Sequence, residues 1–178
     1  MLRWPIRDDI YMRLPEERDA QALFEVIDRN RKRLEEWLHW AHNTHSREDV
    51  LNYVQMARKD FQKPEAIHLL IFRKDEIIGG CGLRLNELNS YGEIGYWIDA
   101  EFSGKGIVTD CCRAIVEYAL TDMGLNRVQI RCASGNVRSA AIPKRLGFKH
   151  EGTLRKTIRT NDRFDDEECF GILRSDWQ

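Results

Sequence analysis

The sequence lacks several features that would assign a functional class directly. No run approaches the roughly 20 apolar residues of a membrane span, and the first residues, MLRWPIRDD, contain no apolar segment of a signal peptide. Neither sign of charge dominates, because 28 Lys and Arg residues stand against 29 Asp and Glu residues. The strong basic field that draws proteins onto nucleic acid is therefore missing. We expect a cytoplasmic protein that binds neither nucleic acid nor membranes.

Cysteine and histidine are too few and too irregularly placed to indicate a metal centre or a disulfide framework. The cysteines are Cys81, Cys111, Cys112, Cys132 and Cys169. Their number is odd, no two form a CxxC pair and they lie in apolar runs, so we expect reduced thiols in the core. For Cys111 and Cys112 the alternative is a nucleophile. His39, His42 and His45 recur without an acid at ligand spacing, which favours a solvated helix end or acceptor-site lining and no metal.

The composition that is present is that of one ordinary globular domain. The 178 residues are 42% hydrophobic and 32% charged. A chain of this length buries about two-thirds of its unfolded surface and so forms a real core. Only four prolines occur, and no repeat, linker or low-complexity tract divides the chain. We expect a single domain over residues 1–178.

The first third of the chain predicts helices after one short strand at residues 9–14. An acidic turn begins an amphipathic helix over residues 15–30, and a second, short helix follows at residues 31–39. Ser46 and Asp49 form an S-x-x-D pattern, which is typical of a capped helix start. A third helix is therefore predicted after Ser46.

The rest of the chain predicts a mixed sheet. Strands are predicted at residues 66–73, 77–85, 91–99, 127–132, 153–159 and 168–174. A helix that ends at Gly124 gives a parallel crossover, another is predicted at residues 137–146, and the last hairpin turns at Asn161 and Asp162. We expect an α+β fold, an α/β/α three-layer sandwich. Its sheet is predicted to be mixed, mostly antiparallel and twisted, with about seven strands and helices on both faces.

Two glycines mark the passage from a strand to a helix at residues 101–109, EFSGKGIVT. Free backbone N–H groups and the helix dipole converge there, so the turn favours an anion such as a pyrophosphate. Gly104 and Gly106 permit backbone conformations that other residues resist and allow a ligand to approach closely. The alternative is a tight connection with no ligand. A Rossmann fingerprint would need a third glycine at Thr109, and the Gly-Lys-Ser/Thr ending of a P-loop is absent.

The segments around this turn resemble a known family. EIGYWID at 93–99 precedes the turn, while NVRS at 136–139 and RLGF at 145–148 follow it. In order and spacing the chain resembles the GCN5-related N-acetyltransferases (GNAT). Over nearly its whole length it is similar to the bacterial ribosomal-protein N-terminal acetyltransferases of the RimL and RimJ kind. The family's pyrophosphate pattern, Gln/Arg-x-x-Gly-x-Gly/Ala, matches residues 101–106 except at Glu101, and an acidic residue there is common in this subgroup.

The resemblance implies an activity. The chain would transfer the acetyl group of acetyl-CoA to a primary amine by direct attack, without a metal. The acceptor implied first is the N-terminal α-amine of a protein such as a ribosomal protein. An acetyltransferase for a small amine, such as a polyamine or aminoglycoside, and a non-catalytic acetyl-CoA-binding sensor are the alternatives, and a homodimer is left open.

The resemblance also implies which residues bind the coenzyme. Backbone groups near Ile98 would pair with the pantetheine arm between two splayed parallel strands, and the Ile98 N–H would polarise the thioester carbonyl. Asn136 would bind the same arm. The predicted coenzyme-binding residues are Trp97, Ile98, Asp99, Phe102, Ser103, Gly104, Lys105, Gly106, Ile107, Val108, Thr109, Asn136 and Ser139.

Two side chains are predicted to handle protons. Glu93, on the strand before the turn, is the candidate base, with an ordinary strand-edge ion pair as the alternative. Ser139 is the candidate donor to the leaving thiolate, or else it only helps to cap the helix begun by Asn136. No tyrosine after Tyr118 can replace the acid of many family members, which favours Ser139. Pro143 would remove one hydrogen bond of that helix or kink it.

The acceptor site is predicted from aromatic and acidic residues. Trp37 and Trp40 are three residues apart, so they can form one aromatic surface beside the acceptor, or they pack the first helices on the sheet. An acidic group in the last hairpin can attract a basic peptide or can be a solvated turn. Its members are Asp162, Asp165, Asp166, Glu167 and Glu168.

Overall fold

A mixed sheet runs through the middle of the molecule. The structure, a computed structural model, describes residues 3–63, 65–160 and 163–177. The strands within these ranges are β1 (Trp4–Arg7), β2 (Ile10–Arg13), β3 (Ala66–Arg73), β4 (Glu76–Asn86), β5 (Tyr91–Ile98), β6 (Arg127–Ala133), β7 (Lys149–Thr160) and β8 (Arg163–Leu173). Their order across the sheet is β1-β2-β3-β4-β5-β6-β8-β7. Neighbouring strands are antiparallel except β5 and β6, which are parallel.

The observed sheet confirms the predicted mixed architecture and adds one strand to the expected seven. The added strand is β1, which pairs with β2 at the edge of the sheet. It has four residues, and one of them is Pro5, which a central strand would not tolerate but an edge strand does. A segment this short with a proline carries too little pattern to be predicted. The predicted hairpin turn at Asn161 and Asp162 lies outside the described residues.

Five α-helices are found in the described part of the chain. They are α1 (Ala20–Arg29), α2 (Arg31–Glu35), α3 (Arg47–Gln62), α4 (Ile107–Glu117) and α5 (Val137–Arg145). The predicted cap of α3 is confirmed, because Ser46 Oγ accepts from the Asp49 N–H at 3.2 Å and Asp49 accepts from the Ser46 N–H at 2.9 Å. The predicted helix at residues 31–39 is shorter than expected. Leu38 is extended, which separates α2 from a 3₁₀ turn at His39–Asn43.

The helices cover both faces of the sheet, as predicted. On one face α1, α2 and α3 bury side chains such as Leu23 and Val54 against Leu70 of β3. On the other face α4 and α5 pack against Ile71, the next residue of the same strand. Successive strand residues point to opposite faces, so β3 supplies both cores. No helix in the described residues is long and apolar enough to cross a membrane.

The cysteines belong to these cores. Cys81, Cys111, Cys112 and Cys132 are buried, and each is a free thiol, as is the half-buried Cys169. The sulfurs of Cys81 and Cys112 lie 3.8 Å apart. That contact and burial raise the pKa of the Cys81 thiol, and burial raises the pKa of Cys111. Protonated, buried thiols are packing groups, as the sequence predicted, rather than nucleophiles.

Candidate active site

The parallel strands β5 and β6 separate in the middle of the sheet. Only Tyr91, Gly92 and Glu93 of β5 pair with β6, although β5 continues to Ile98 and β6 continues to Ala133. We call the space between residues 94–98 and residues 130–133 the gap. The described residues provide no strand partner for β5 along the gap, so the backbone N–H groups that point into it are available to a ligand.

Backbone direction decides which residues of β5 face the gap. The Asp99 N–H donates to the Ile78 carbonyl at 2.8 Å, on the β4 side. Alternate residues of an antiparallel strand point their backbone groups the same way, so those of Trp97 face β4 and those of Ile98 face the gap. The Ile98 carbonyl accepts a hydrogen bond from Arg33. Within the predicted stretch of residues 97–99, only Ile98 presents its backbone N–H to the gap.

Asp99 instead fixes the end of β5. Its carboxylate is 2% exposed and accepts hydrogen bonds from Arg29 Nε at 2.7 Å and from the Glu101 N–H at 3.2 Å. Burial would raise the pKa of Asp99, but the hydrogen bonds from Arg29, Glu101 and Asn30 outweigh it and lower the pKa below its ordinary value. Asn30 also accepts from the Ala100 N–H at 3.0 Å. The end of β5 is thereby tied to the C-terminal end of α1.

The glycine turn joins β5 to α4 as predicted. A short 3₁₀ turn at Ala100–Phe102 leads to Gly104 and Gly106, whose φ angles are +77° and +78°, a region that side chains disfavour. A Cβ placed on Gly104 would meet no atom within 4 Å. Helix α4 begins at Ile107, so the N–H groups of its first turn have no partner within the helix. The turn therefore presents open space and unpaired donors, which suit an anion.

Arg7 supports this turn from β1 and was missed in the sequence. Its Nη2 donates to the Lys105 carbonyl at 2.6 Å, and its Nη1 lies 2.8 Å from the carboxylate of Asp110. A Cβ on Gly106 would lie 3.7 Å from Arg7 Nη1. The contact joins residues 98 positions apart, so no local pattern could have predicted it. It places a cation beside the proposed anion site.

Ser139 lies at the start of α5, and its hydroxyl contacts Tyr96. Asn136 caps the helix, because its Oδ1 accepts from the Ser139 N–H at 3.1 Å. Ser139 Oγ lies 3.1 Å from Tyr96 Oη, and Tyr96 Oη donates to the Ser139 carbonyl at 2.9 Å. Helix α5 continues through Pro143 to Arg145. Tyr96 was not among the predicted site residues, since only the folded strand places it beside Ser139.

Glu93 lies where β5 and β6 begin to separate. Its Oε2 accepts from Arg131 Nε at 2.9 Å and from Gln129 Nε2 at 2.8 Å. Arg131 also lies 3.4 Å from Glu167 on β8. Glu93 and Tyr96 are three positions apart on β5, so their side chains point to opposite faces of the sheet. Glu93 therefore has an arginine partner, as the alternative of a strand-edge ion pair predicts. Its role as a base stays a prediction.

The two candidate tryptophans of the acceptor side pack against different elements. Trp40 lies 6.0 Å from Trp97, measured between ring centroids, and a Cβ on Gly80 would meet Trp97 Nε1 at 2.6 Å. A Cβ on Gly135 would meet Trp37 at 3.3 Å. Trp40 is 38% exposed, whereas Trp37 is half-buried. The segment that carries both therefore extends from β5 to the loop before α5.

The described members of the predicted acidic group are engaged by neighbouring side chains, in three ion pairs and one contact with a histidine. Asp162 lies outside the described residues. The partners of the other members are Arg163 for Asp165, Lys156 for Asp166, Arg131 for Glu167 and His150 for Glu168. Histidines at the predicted helix end are also engaged, since His42 Nε2 lies 2.9 Å from the Glu35 carbonyl. Within the described ranges no group of three or more His, Cys, Asp or Glu residues could hold a metal ion.

Comparison with known proteins agrees with this geometry. Residues 9–149 match the family described as acetyltransferase (GNAT) domain. The chain belongs to the GNAT family. It is 31% identical to the ribosomal-protein-serine acetyltransferase of Escherichia coli (strain K12), over 88% of each protein.

Solved GNAT structures share the fold over nearly the whole chain. RimL, a ribosomal L7/L12 α-N-protein acetyltransferase in complex with coenzyme A, superposes with a TM-score of 0.93 and 25% identity, over 97% of this chain and 98% of that chain. MccE, a microcin C7 self-immunity acetyltransferase in complex with acetyl-CoA and AMP, has a TM-score of 0.90 and 28% identity, over 94% of each chain. This GNAT protein is an acetyl-CoA-dependent N-acetyltransferase.

The residues of this GNAT chain fit that coenzyme. The gap offers an extended strand whose Ile98 N–H lacks a strand partner in the described residues, which suits an arm that contains amide groups. The turn at Gly104 and Gly106 offers donors and free space for a pyrophosphate, with Arg7 beside it. When bound, acetyl-CoA supplies the acetyl group as a thioester open to attack by an amine.

Proposed function

We propose that this acetyltransferase modifies the N-terminal α-amine of a protein, with a ribosomal protein as the first candidate. The observation that carries the proposal is the extent of its similarity to two enzymes named as ribosomal-protein acetyltransferases, one of which, RimL, is named for α-N-acetylation. It reaches 88% of the chain for the Escherichia coli enzyme and 97% for RimL. An alignment of that length includes the segments on the acceptor side of the gap as well as the coenzyme turn.

In this proposal the backbone holds the coenzyme and few side chains take part. The N–H groups of Gly104, Gly106 and the first turn of α4 bind the pyrophosphate, and Arg7 adds positive charge. The Ile98 N–H donates to the thioester oxygen, where negative charge develops as the amine attacks. Asn136 positions the start of α5 at the gap. Apart from those of Arg7 and Asn136, these roles need only the main-chain geometry described above.

Proton handling is divided between the two faces of β5. An N-terminal α-amine has a pKa near 8, so about a tenth of it is already neutral at pH 7 and no strong base is needed. Glu93, alone or through water, receives that proton in the proposal, although Arg131 and Gln129 already bind it. On the opposite face Ser139 donates a hydrogen bond to the departing sulfur.

The shape and charge of the acceptor side favour a peptide over a polyamine. The β7–β8 hairpin contains a cavity of about 670 Å³. Its lining residues are Thr153, Leu154, Arg155, Lys156, Thr157 and Asp166. Lys156 pairs with Asp166, so Arg155 gives this lining one net positive charge, which does not attract a polycation, and the 45% exposed Leu154 offers apolar contact. Thr157 Oγ1 lies 3.2 Å from Glu167, which pairs with Arg131 and so connects this cavity to Glu93.

A substrate screen tests the proposal. The purified enzyme and acetyl-CoA are incubated with ribosomal proteins from a strain that lacks it, and N-terminal peptides are examined by mass spectrometry. Acetylation of one or a few α-amines, with lysine side chains unmodified, is expected. A parallel assay follows thiol release with spermidine and an aminoglycoside. Faster turnover with either small amine than with every peptide overturns the assignment, and no thiol release with any acceptor supports a coenzyme sensor.

A further inference from the structure

Tyr96 and Ser139 are joined by two hydrogen bonds. The Tyr96 hydroxyl contacts the side-chain oxygen of Ser139 at 3.1 Å and its carbonyl oxygen at 2.9 Å. The two residues are 43 positions apart, one on β5 and the other on α5, the helix that follows β6. A second contact to the backbone of the same residue fixes the tyrosine relative to the helix. The pair therefore sets the position of Ser139 Oγ at the gap.

Pro143 explains why the Ser139 carbonyl can take part. In a regular helix that carbonyl accepts from the N–H of the residue four positions later, which here is Pro143. Proline has no N–H, so this bond cannot form and the carbonyl needs another donor. The Tyr96 hydroxyl supplies it. The carbonyl that the proline leaves without a helix donor thus accepts a hydrogen bond from β5.

The Tyr96 hydroxyl is a neutral donor and acceptor. Burial raises the pKa of the phenol far above its ordinary value, so the group keeps its proton across the physiological range. It has one proton and two acceptors within reach, Ser139 Oγ and the Ser139 carbonyl oxygen. When Ser139 Oγ–H donates to Tyr96, the tyrosine donates to the carbonyl. When Ser139 Oγ–H donates elsewhere, the tyrosine can rotate and donate to Oγ.

We propose that Tyr96 is a positioning residue for the acetyl transfer, acting through Ser139. The proposal rests on the role assigned to Ser139 above. Before the reaction the Ser139 hydroxyl donates a hydrogen bond to Tyr96 Oη. As the C–N bond forms and the C–S bond breaks, the electron pair stays on sulfur, and Ser139 turns its O–H toward that sulfur. Tyr96 then donates to Ser139 Oγ, and no proton leaves either oxygen.

A double-mutant cycle tests whether Tyr96 acts through Ser139. The variants are Tyr96→Phe, Ser139→Ala and both together, measured by steady-state kinetics with a fixed acceptor. Tyr96→Phe is expected to lower kcat roughly tenfold, with the KM for acetyl-CoA changed less than about twofold. In the Ser139→Ala background it is expected to lower kcat no further. Full additivity of the two losses overturns the proposal, as does an unchanged kcat for Tyr96→Phe.

The same cycle separates this inference from the role of Ser139 itself. If Ser139→Ala retains the wild-type kcat, the role given to Ser139 is wrong, whatever Tyr96→Phe does. If Ser139→Ala is slow and Tyr96→Phe is not, only the inference is wrong. Tyr91→Phe, on the same strand and 3.5 Å from Asn86 Nδ2, is the matched control and should keep the wild-type kcat.

Pro143→Ala provides a readout that a purely structural role would not give. The alanine restores an N–H that competes with Tyr96 for the Ser139 carbonyl, and it also favours the helix. We expect kcat to fall by roughly threefold, and the fall should vanish when Tyr96 is already phenylalanine. A kcat that is unchanged or rises overturns the part assigned to Pro143.

Discussion

The guanidinium of Arg7 donates to the carbonyl of Lys105 at 2.6 Å and pairs with Asp110 at 2.8 Å. A strand at the edge of the sheet is thereby connected to the turn between β5 and α4. Arg7 binds a carbonyl oxygen of the turn, and it partly neutralises the carboxylate of Asp110, which would repel a phosphate. The N-terminal strand thus shapes the site that the glycines form.

Arg7→Ala should weaken coenzyme binding because it removes both effects. We expect the Kd for coenzyme A, measured by isothermal titration calorimetry, to rise about fivefold. The free energy of unfolding should fall by less than about 1 kcal/mol, since the pair is partly exposed. The control is Arg3→Ala, which removes an exposed pair with Asp75 and a contact with the Tyr11 ring, neither of which involves the turn. An unchanged Kd for Arg7→Ala would remove this residue from the site.

Gly104→Ala should impair the turn more than its backbone strain alone explains. A side chain at φ +77° costs about 1 kcal/mol wherever it occurs, and here it also occupies the open space that faces the ligand. The Kd for coenzyme A is expected to rise at least about tenfold. Gly124→Ala, at φ +70° beyond the far end of α4, carries the same strain and should bind normally. Equal weakening in the two variants would assign the effect to strain.

Glu93→Gln distinguishes a catalytic base from a structural carboxylate. If Glu93 is the base, kcat should fall by about 100-fold while the Kd for coenzyme A is unchanged. If it only pairs with Arg131, stability should fall and kcat should not. The matched control is Glu151→Gln, which weakens a similar pair with Arg127. Arg127 lies on β6 like Arg131, but at the end where β5 and β6 are paired. A wild-type kcat in Glu93→Gln would exclude the base.

Asp99→Asn should destabilise the fold in a pH-dependent way. The substitution removes the charge of a buried carboxylate that accepts hydrogen bonds from Arg29 and the Glu101 N–H. We expect this loss to lower the free energy of unfolding by about 3 kcal/mol at neutral pH. The pKa of Asp99 in the fold lies below its ordinary value of 3.8. Its contribution is therefore complete above that value and is lost as pH falls below it.

Urea unfolding of the wild type and Asp99→Asn at several pH values checks this dependence. The difference in the free energy of unfolding should be constant from neutral pH to about pH 5 and should shrink below the unfolded pKa. Asp28→Asn is the control, because Asp28 is 58% exposed in its pair with Arg31 and should have little effect. A difference that grows on acidification contradicts the assignment.

The features that the sequence predicted are those encoded locally. Ser46 and Asp49 are three residues apart, a spacing that predicts a helix cap, and the structure confirms that cap. The turn at Gly104 and Gly106 was similarly marked by the residues themselves, and so was the cap of α5 by Asn136. Short-range geometry leaves a pattern in the order of residues, so such elements can be predicted without a structure.

Long-range partners could not be predicted in the same way. Arg7 and Lys105 come together only because β1 lies at the sheet edge near α4, and β1 is too short to be predicted. The partners of Glu93 come from β6, and the Tyr96 contact depends on how α5 lies over the gap. Each of these contacts follows from tertiary packing, which single-sequence patterns do not contain. The contacts that the sequence does not predict are therefore those between residues that are distant along the chain.

The short ladder between β5 and β6 also bears on amide hydrogen exchange. Amides in a continuous ladder exchange slowly, and those without an acceptor exchange quickly. In the free enzyme the Ile98 amide, which faces the gap, should exchange much faster than the Trp97 amide beside it, which faces β4. Bound coenzyme should slow Ile98 and leave Trp97 unchanged. The exchange rates of the gap-facing amides of β5 would then report how much of the gap the coenzyme occupies. This measurement needs no acceptor substrate.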